Sequence, residues 1–451
     1  MPRVLIVSYP WLPAFSAGVR HVATLARYLP EAGWDPIILS RDWGEDAGAA
    51  DGAGHVLPDG GAELPSLRLA RALPTVTAAF ASRDNLLVRW QAALAGRAEP
   101  ARARRAERLA RALLDAAYPL YGAYPDPCRG WVQPAVAAGL GAIRQFGIGA
   151  VVSVSSPDSA HIAGGEMARA AGVPWIPVFG ELGTFRVDAR DGRTLMERFE
   201  HRELARRWLR GSFAGVAMSP EMSEHLERNY SLAVETLALP FDPDERRLPP
   251  RRTVGSPLRL VHVGRLGAHA RVGVLLDAID LLLRDDHALS AALEVELVGS
   301  GRDDELQALL TDRPAASVCR ITPRVSPAEA VALQREADVL LSFGPSDALA
   351  RYPSTFPERL NARRPVLAIA DDDSFIGQVL RETSAGEVVG DAVSVAAGIR
   401  RALDALRAGG EVPYRGDESV IARYAGPELA RRLAGMLDVA SAERFGSWQR
   451  G

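Results

Sequence analysis

The sequence predicts an α/β protein made of two doubly wound domains that face each other across a cleft. Three observations carry this expectation. Short apolar runs such as RVLIVS and LRLVHV alternate with stretches of helical apolar spacing at both ends of the chain. That is the pattern of buried parallel strands joined by crossover helices. The length of 451 residues exceeds the roughly 250–300 residues at which single cores stop growing. A Pro-rich, charged stretch, LALPFDPDERRLPPRR over 237–252, separates the two series and reads as a linker.

Taken in order, RVLIVS is a first buried strand, residues 18–29 have helical apolar spacing, and PIILS is a second strand. Residues 45–65 are rich in Gly, Asp and Ala and read as a loop. Residues 96–116, GRAEPARARRAERLARALLDA, are helical in pattern with arginines crowded on the first turns. Both a solvated helix face and a peripheral contact with anionic lipid fit that stretch. AVVSVSS, WIPVF and GVAMS follow as strands, each leading into a turn and a helix. Beyond the linker, LRLVHVG, LEVELVG, DVLLSFG and PVLAIA form the second series. The expected division is 1–240, 241–425, and a closing helix over 426–451 that packs back on the first domain. Ligands of such sheets bind where the strands end.

Composition narrows the chemistry. Net charge is −3, so nothing global favours nucleic acid or an anionic surface. All 53 residues of the Lys+Arg count are arginine. Schiff-base, pyridoxal-phosphate and Walker-A chemistry, which need lysine, are thereby excluded, and any phosphate must be met by guanidinium forks, hydroxyls or backbone amides. The two cysteines, Cys128 and Cys319, make neither a zinc pattern nor a disulfide framework. No apolar run approaches the ~18–20 residues of a membrane span. The start, MPRVLIVSYPWLP, reads as a strand rather than a signal peptide. The sequence therefore predicts a cytoplasmic protein, peripheral at the inner membrane face if 96–116 contacts lipid.

Several turns could carry chemistry. In STFPERLNARRPVLA, over 354–368, a loop with Glu358 leads through a short helix into a buried strand. In VHVGRLGAHARVG a strand end is followed by Gly264, Arg265 and Arg271, and guanidiniums there could neutralise a leaving diphosphate. Gly299-Ser300-Gly301-Arg302 is a second glycine turn after a strand, and ITPRV, with Arg324, lies at the end of the next. In the first half, Gly18 opens a helix after the first strand, where a backbone can approach an anion. His161 follows Ser155-Ser156-Pro157, and Glu181 follows the strand WIPVF. Asp371-Asp372-Asp373 invites a metal reading, but in a polar loop such a run is commonly a turn or cap.

Together these segments resemble the GT-B glycosyltransferases of the glycogen-synthase-like, retaining kind (group 1, family 4 type), whose two domains are Rossmann-like. The resemblance implies a nucleotide-diphosphate sugar as co-substrate, a small-molecule or lipid-linked acceptor, and no metal. It implies that Arg265 and Arg271 hold the diphosphate and Glu358 the ribose. Thr355, Phe356, Gly299 and Arg324 would lie along the donor, with ITPRV by the base. His161 and the Gly18 loop would face sugar and acceptor, and Glu181 either orients an acceptor hydroxyl or is a loop carboxylate. The chain departs from the family at several points. Ala17 replaces the first glycine of the N-terminal pair, Gly180 stands where arginine is common, and Arg271 stands where lysine is common. Ala350 stands where a first glutamate precedes Glu358, and Thr355 occupies the place of a lysine in some members. The donor sugar and acceptor therefore stay open. A nucleotide-sugar epimerase of the same fold and an inactive nucleotide-sugar-binding homologue are the alternatives.

Overall fold

The computed structural model describes residues 1–12, 14–43, 55–56, 64–79, 125–126, 128–185, 205–247, 257–266, 271–344 and 355–448. The arginine-rich stretch 96–116, Ala350, and most of the loop expected over 45–65 lie outside these residues.

The first strand, β1 (Arg3–Ser8), is buried from Val4 onward. A run this apolar suits a strand covered on both faces, as parallel sheets require. It pairs in parallel with β2 (Asp35–Arg41) on one side and β4 (Ile148–Ser155) on the other. With β3 (Thr75–Ala78), β5 (Trp175–Phe179), β6 (Gly215–Ala217) and β7 (Val234–Thr236), the sheet runs β3-β2-β1-β4-β5-β6-β7. Every pairing in it is parallel.

The second sheet contains β8 (Leu258–Val263), β9 (Leu293–Val298), β10 (Cys319–Thr322), β11 (Val339–Phe343), β12 (Val366–Ile369) and β13 (Gly386–Val389). Its order is β10-β9-β8-β11-β12-β13, again all parallel. Both sheets thus share one winding, in which the third, second and first strands lie to one side and the fourth, fifth and sixth to the other. The order reverses between β1 and β4 in one half and between β8 and β11 in the other. Loops at the strand ends part there and leave a crevice.

Three helices matter for the site. Helix α1 (Ala17–Tyr28) follows β1, and its first turn is capped by Ser16, whose Oγ accepts from Val19 N at 3.2 Å. Helix α2 (Phe356–Ala362) precedes β12. Helix α3 (Gly426–Trp448) closes the chain and lies against the first half: Trp34 Nε1 donates to Asp438 Oδ1 at 2.9 Å, and Arg432 donates to Thr236 O at 3.1 Å.

The stretch read as a linker is more ordered than its Pro-rich composition suggests. Leu237, Leu239, Phe241, Asp242 and Glu245 are all buried, and residues 243–247 form a short 3₁₀ turn. Asp242 and Glu245 receive charge from α1: Arg27 donates to Asp242 and Asp244, Tyr28 to Asp242 at 2.7 Å, and Arg20 to Glu245. Composition marks the break between the two series but not the partners that fix it. In ITPRV the strand ends at Thr322 and Arg324 stands in the loop that follows, as the sequence suggests.

Candidate functional site

At the second reversal point, β8 ends in Val263, Gly264 and Arg265. Gly264 has φ +129°, a conformation that L side chains rarely adopt, and a Cβ there would sit 2.7 Å from Thr355 Oγ1. The turn is stitched to the end of β9: Gly264 N donates to Val298 O at 2.9 Å and Leu266 N to Ser300 O at 3.0 Å. Gly299 and Gly301, both at positive φ, let neighbouring chains close in. A Cβ on Gly299 would lie 3.5 Å from Arg324 Cα, and one on Gly301 would lie 3.8 Å from Arg265 Cγ.

The result brings Arg265 and Arg324 together. Burial, and then the charge of Arg265, hold the Arg324 guanidinium below its ordinary range. Among the described residues neither side chain is in an ion pair, although most other arginines nearby are. Two like charges held close without a counter-charge are unfavourable alone and complementary to a dianionic ligand.

Arg271 behaves differently. Its Nη2 lies 2.5 Å from Asp371 Oδ1, so its charge is already answered. Asp372 in turn pairs with Arg381 at 3.0 Å. The aspartate run therefore makes separate ion pairs, and among the described residues no three His, Cys, Asp or Glu side chains are grouped to hold a metal.

Glu358 is buried on α2 and faces the first half. Its Oε1 lies 3.2 Å from Arg20 Nη1 and 3.8 Å from His21 Nε2, and its Oε2 has no partner. Burial opposes its charge, but Arg20 and then His21 outweigh burial and keep the carboxyl below the usual glutamate range. Arg20 also holds Glu245. There burial, reinforced by Asp242 and Glu358, wins over Arg20 and pushes the carboxyl up. Arg20 and His21 are residues that sequence reasoning missed. They stand one turn beyond Gly18 in an ordinary-looking amphipathic helix, and no periodicity signals a partner on the far side of the chain.

Gly18 is half-buried at the start of α1, and a Cβ there would meet only Ser16 Oγ at 3.6 Å. Nothing in the protein itself requires glycine. Gly18→Ala should therefore stabilise the ligand-free protein by about 0.5–1 kcal/mol, as Ala over Gly does in helices. Unfolding in denaturant measures that gain. A simultaneous loss of ligand affinity would show that a ligand approaches this backbone.

Glu181 and Ser156 stand at the ends of β5 and β4, and Ser156 Oγ donates to Glu181 Oε1. His161 is placed otherwise than expected. It is 0% exposed, its Nδ1 lies 2.8 Å from Ser153 Oγ, and its ring packs on Phe179 and Phe185. No atom of it reaches the crevice in this conformation, because the small residues opening its helix let the ring sink into the core. Burial pushes its pKa down to about 3. The stability it contributes is present above the ordinary histidine range and is lost as pH falls toward that value. His161→Leu should flatten that acid limb and leave ligand affinity within about twofold of wild type, as urea melts across pH and titration calorimetry would record. Phe356 is likewise 0% exposed; it anchors α2 from below rather than lining the crevice.

No protein-family model matches the sequence, and no curated protein matches it. Solved structures do match. Sucrose-phosphate synthase from Thermosynechococcus elongatus superposes with a TM-score of 0.56 at 12% identity, covering 100% of this chain and 99% of that one. The lipopolysaccharide outer core galactosyltransferase WaaB gives 0.55 at 12% identity, covering 97% and 99%. The fold is GT-B. HepE from Anabaena, solved in complex with UDP, gives 0.53 at 10% identity with 100% of both chains covered. In GT-B terms, Arg265, Arg324, Gly299 and Thr355 gather at the strand ends of the second half. Glu358 faces Arg20 and His21 of α1, Gly18 stands at the start of α1, and Glu181 follows β5.

Proposed function

We propose that this chain is a retaining glycosyltransferase that moves a sugar from a nucleotide-diphosphate donor to an acceptor hydroxyl. The observation that carries the proposal is the unpaired Arg265–Arg324 couple at the reversal point of the second sheet, a ready site for a diphosphate. Glu358, with one carboxylate oxygen unpartnered, accepts hydroxyls of the ribose. On departure the diphosphate gathers negative charge, and the two guanidiniums stabilise it most when that charge is greatest. The departing phosphate oxygen takes the acceptor proton on the same face of the sugar, so configuration is retained without a protein base. No metal takes part. Glu181 orients an acceptor, either a small molecule or a lipid-linked one.

UDP, the nucleotide held by HepE, is the first probe. A donor that binds the native state raises its melting temperature by mass action, about 2.7 kcal/mol at a hundredfold excess over Kd. A thermal-shift series with UDP, GDP, ADP and their sugars, followed by transfer assays on an acceptor panel, tests the proposal. A set of diphosphates that leaves the melting temperature unmoved would remove it. Interconversion of the donor sugar without acceptor would replace it with an epimerase, and binding without any transfer with an inactive homologue.

A further inference from the structure

Arg359 is 1% exposed at the centre of the second half, and each of its three side-chain nitrogens donates at the reversal point. Nε donates to Leu341 O at 3.0 Å, Nη1 to Thr355 Oγ1 at 2.8 Å, and Nη2 to Val263 O at 3.0 Å. Nη2 also lies 3.1 Å from Nδ1 of His262. A guanidinium can only donate, so this Nδ1 must be the bare, accepting nitrogen of the ring. The proton of the neutral imidazole then sits on Nε2, 3.1 Å from Gly264 O, and donates to it. Burial, and next the Arg359 charge, push the His262 pKa down to about 3, which keeps the ring in that neutral form.

We infer that Arg359 is a positioning residue for the donor diphosphate, acting through the His262 tautomer and Thr355 to fix the Gly264 turn that presents Arg265. This rests on the proposed nucleotide-sugar reading. Gly264 is pinned on three sides. His262 holds its carbonyl, Val298 O takes its N–H, and Thr355, itself held by Arg359, closes against its Cα. The backbone entering Arg265 is thereby fixed while its guanidinium stays free. A site prepared for charge needs that combination, because reorganising a loop at the moment of reaction would forfeit its benefit.

The tautomer is also poised to reverse. Leu341 O lies 3.2 Å from His262 Nδ1. Without the Arg359 donor, a proton on Nδ1 could bond that carbonyl instead, and Gly264 O would lose its partner.

The test titrates UDP, with GDP and ADP in parallel, into the wild type and into His262→Gln, His262→Leu and Arg359→Met. Each is first checked for cooperative melting. Glutamine carries a donor near the position of Nε2 and should bind within about threefold of wild type, whereas leucine fills the space without donating and should lose roughly tenfold. A brace that merely fills the core would order these two the other way. Side-chain ¹⁵N shifts of His262 should report Nε2–H in the wild type and Nδ1–H in Arg359→Met. Should Arg359→Met not fold, the two His262 variants and the wild-type tautomer decide alone. Equal binding by Gln and Leu, or a wild-type proton on Nδ1, overturns the positioning role and leaves the nucleotide reading intact. A wild type that binds none of the three diphosphates removes both.

Discussion

Arg265→Ala is expected to lower turnover by about 10²–10³-fold, the usual cost of removing one preorganised group that stabilises developing charge, while the ligand-free protein keeps its stability. The two halves of this expectation have one cause. Arg265 is exposed, has no ion-pair partner among the described residues, and its like charge bears on Arg324. Its removal breaks nothing in the free protein and relieves repulsion on Arg324. What is lost appears only with ligand present, so kcat/KM and diphosphate affinity fall and the melting temperature does not. Arg324→Ala should follow the same pattern more weakly. The double variant should cost less than the sum, since the two act on one group. Arg271→Ala should cost less than Arg265→Ala, because Asp371 already answers its charge. Steady-state kinetics with the donor identified by thermal shift measures all four. Equal losses for Arg271 and Arg265 would move the diphosphate toward the start of the next helix.

The second large effect is on stability. Glu358→Ala should destabilise the protein by about 3–5 kcal/mol, the range for breaking one side of a buried ion pair. Arg20 would be left buried against Glu245 alone. Glu245→Gln, although it touches the same arginine, should cost less than Glu358→Ala at pH 7. Its carboxyl is pushed up by burial and then by Asp242 and Glu358, so its charge is less favoured in place than that of Glu358, and the amide keeps its shape. The two carboxyls also respond oppositely to acid. Glu358, held below its ordinary range, contributes stability above about pH 4.3, the unfolded glutamate value, and that contribution is lost as pH falls further. Glu245, held above it, contributes at and below that pH, and its contribution fades as pH rises through its folded value. Urea unfolding of both variants between pH 3 and 8 measures the contrast. Comparable losses at pH 7 would mean that Arg20 serves both carboxylates equally.

The sheets were legible because their strands are two-sided: RVLIVS and LRLVHV are mostly apolar on both faces, as strands covered on both sides require. The strand-end turns of the second half were legible through their glycines, since Gly264, Gly299 and Gly301 mark where backbone must bend tightly or come close. Glu358 was legible only as a carboxylate at a helix start. That it would face Arg20 and His21 was not, because ion pairs between residues more than three hundred positions apart leave no local pattern. His161 misled for a related reason. A histidine at a helix start looks the same whether its ring points out or sinks between Phe179 and Phe185, and only packing decides. Arg359 was hidden by its charge: an arginine beside Leu360 reads as the polar face of a helix, yet it is among the most buried large side chains of the molecule.

The place where the chain passes between its halves has a consequence for how the protein is made. Phe241, on the way out, and Ala425, on the way back, lie side by side as a parallel bridge, and Gly426 N donates to Phe241 O at 2.8 Å. The second half is thus a closed excursion between two adjacent points, and the helix that meets Trp34 and Tyr28 emerges after it. A ribosome would deliver the strands and crossover helices of the first sheet well before the helix that packs on Trp34, which arrives only after the second half has been made, against the usual N-terminal-first order. By the same connectivity, residues 241 and 426 are close enough to be joined directly, which would leave the first half with helix α3 but take Glu245 and Glu358 away from Arg20.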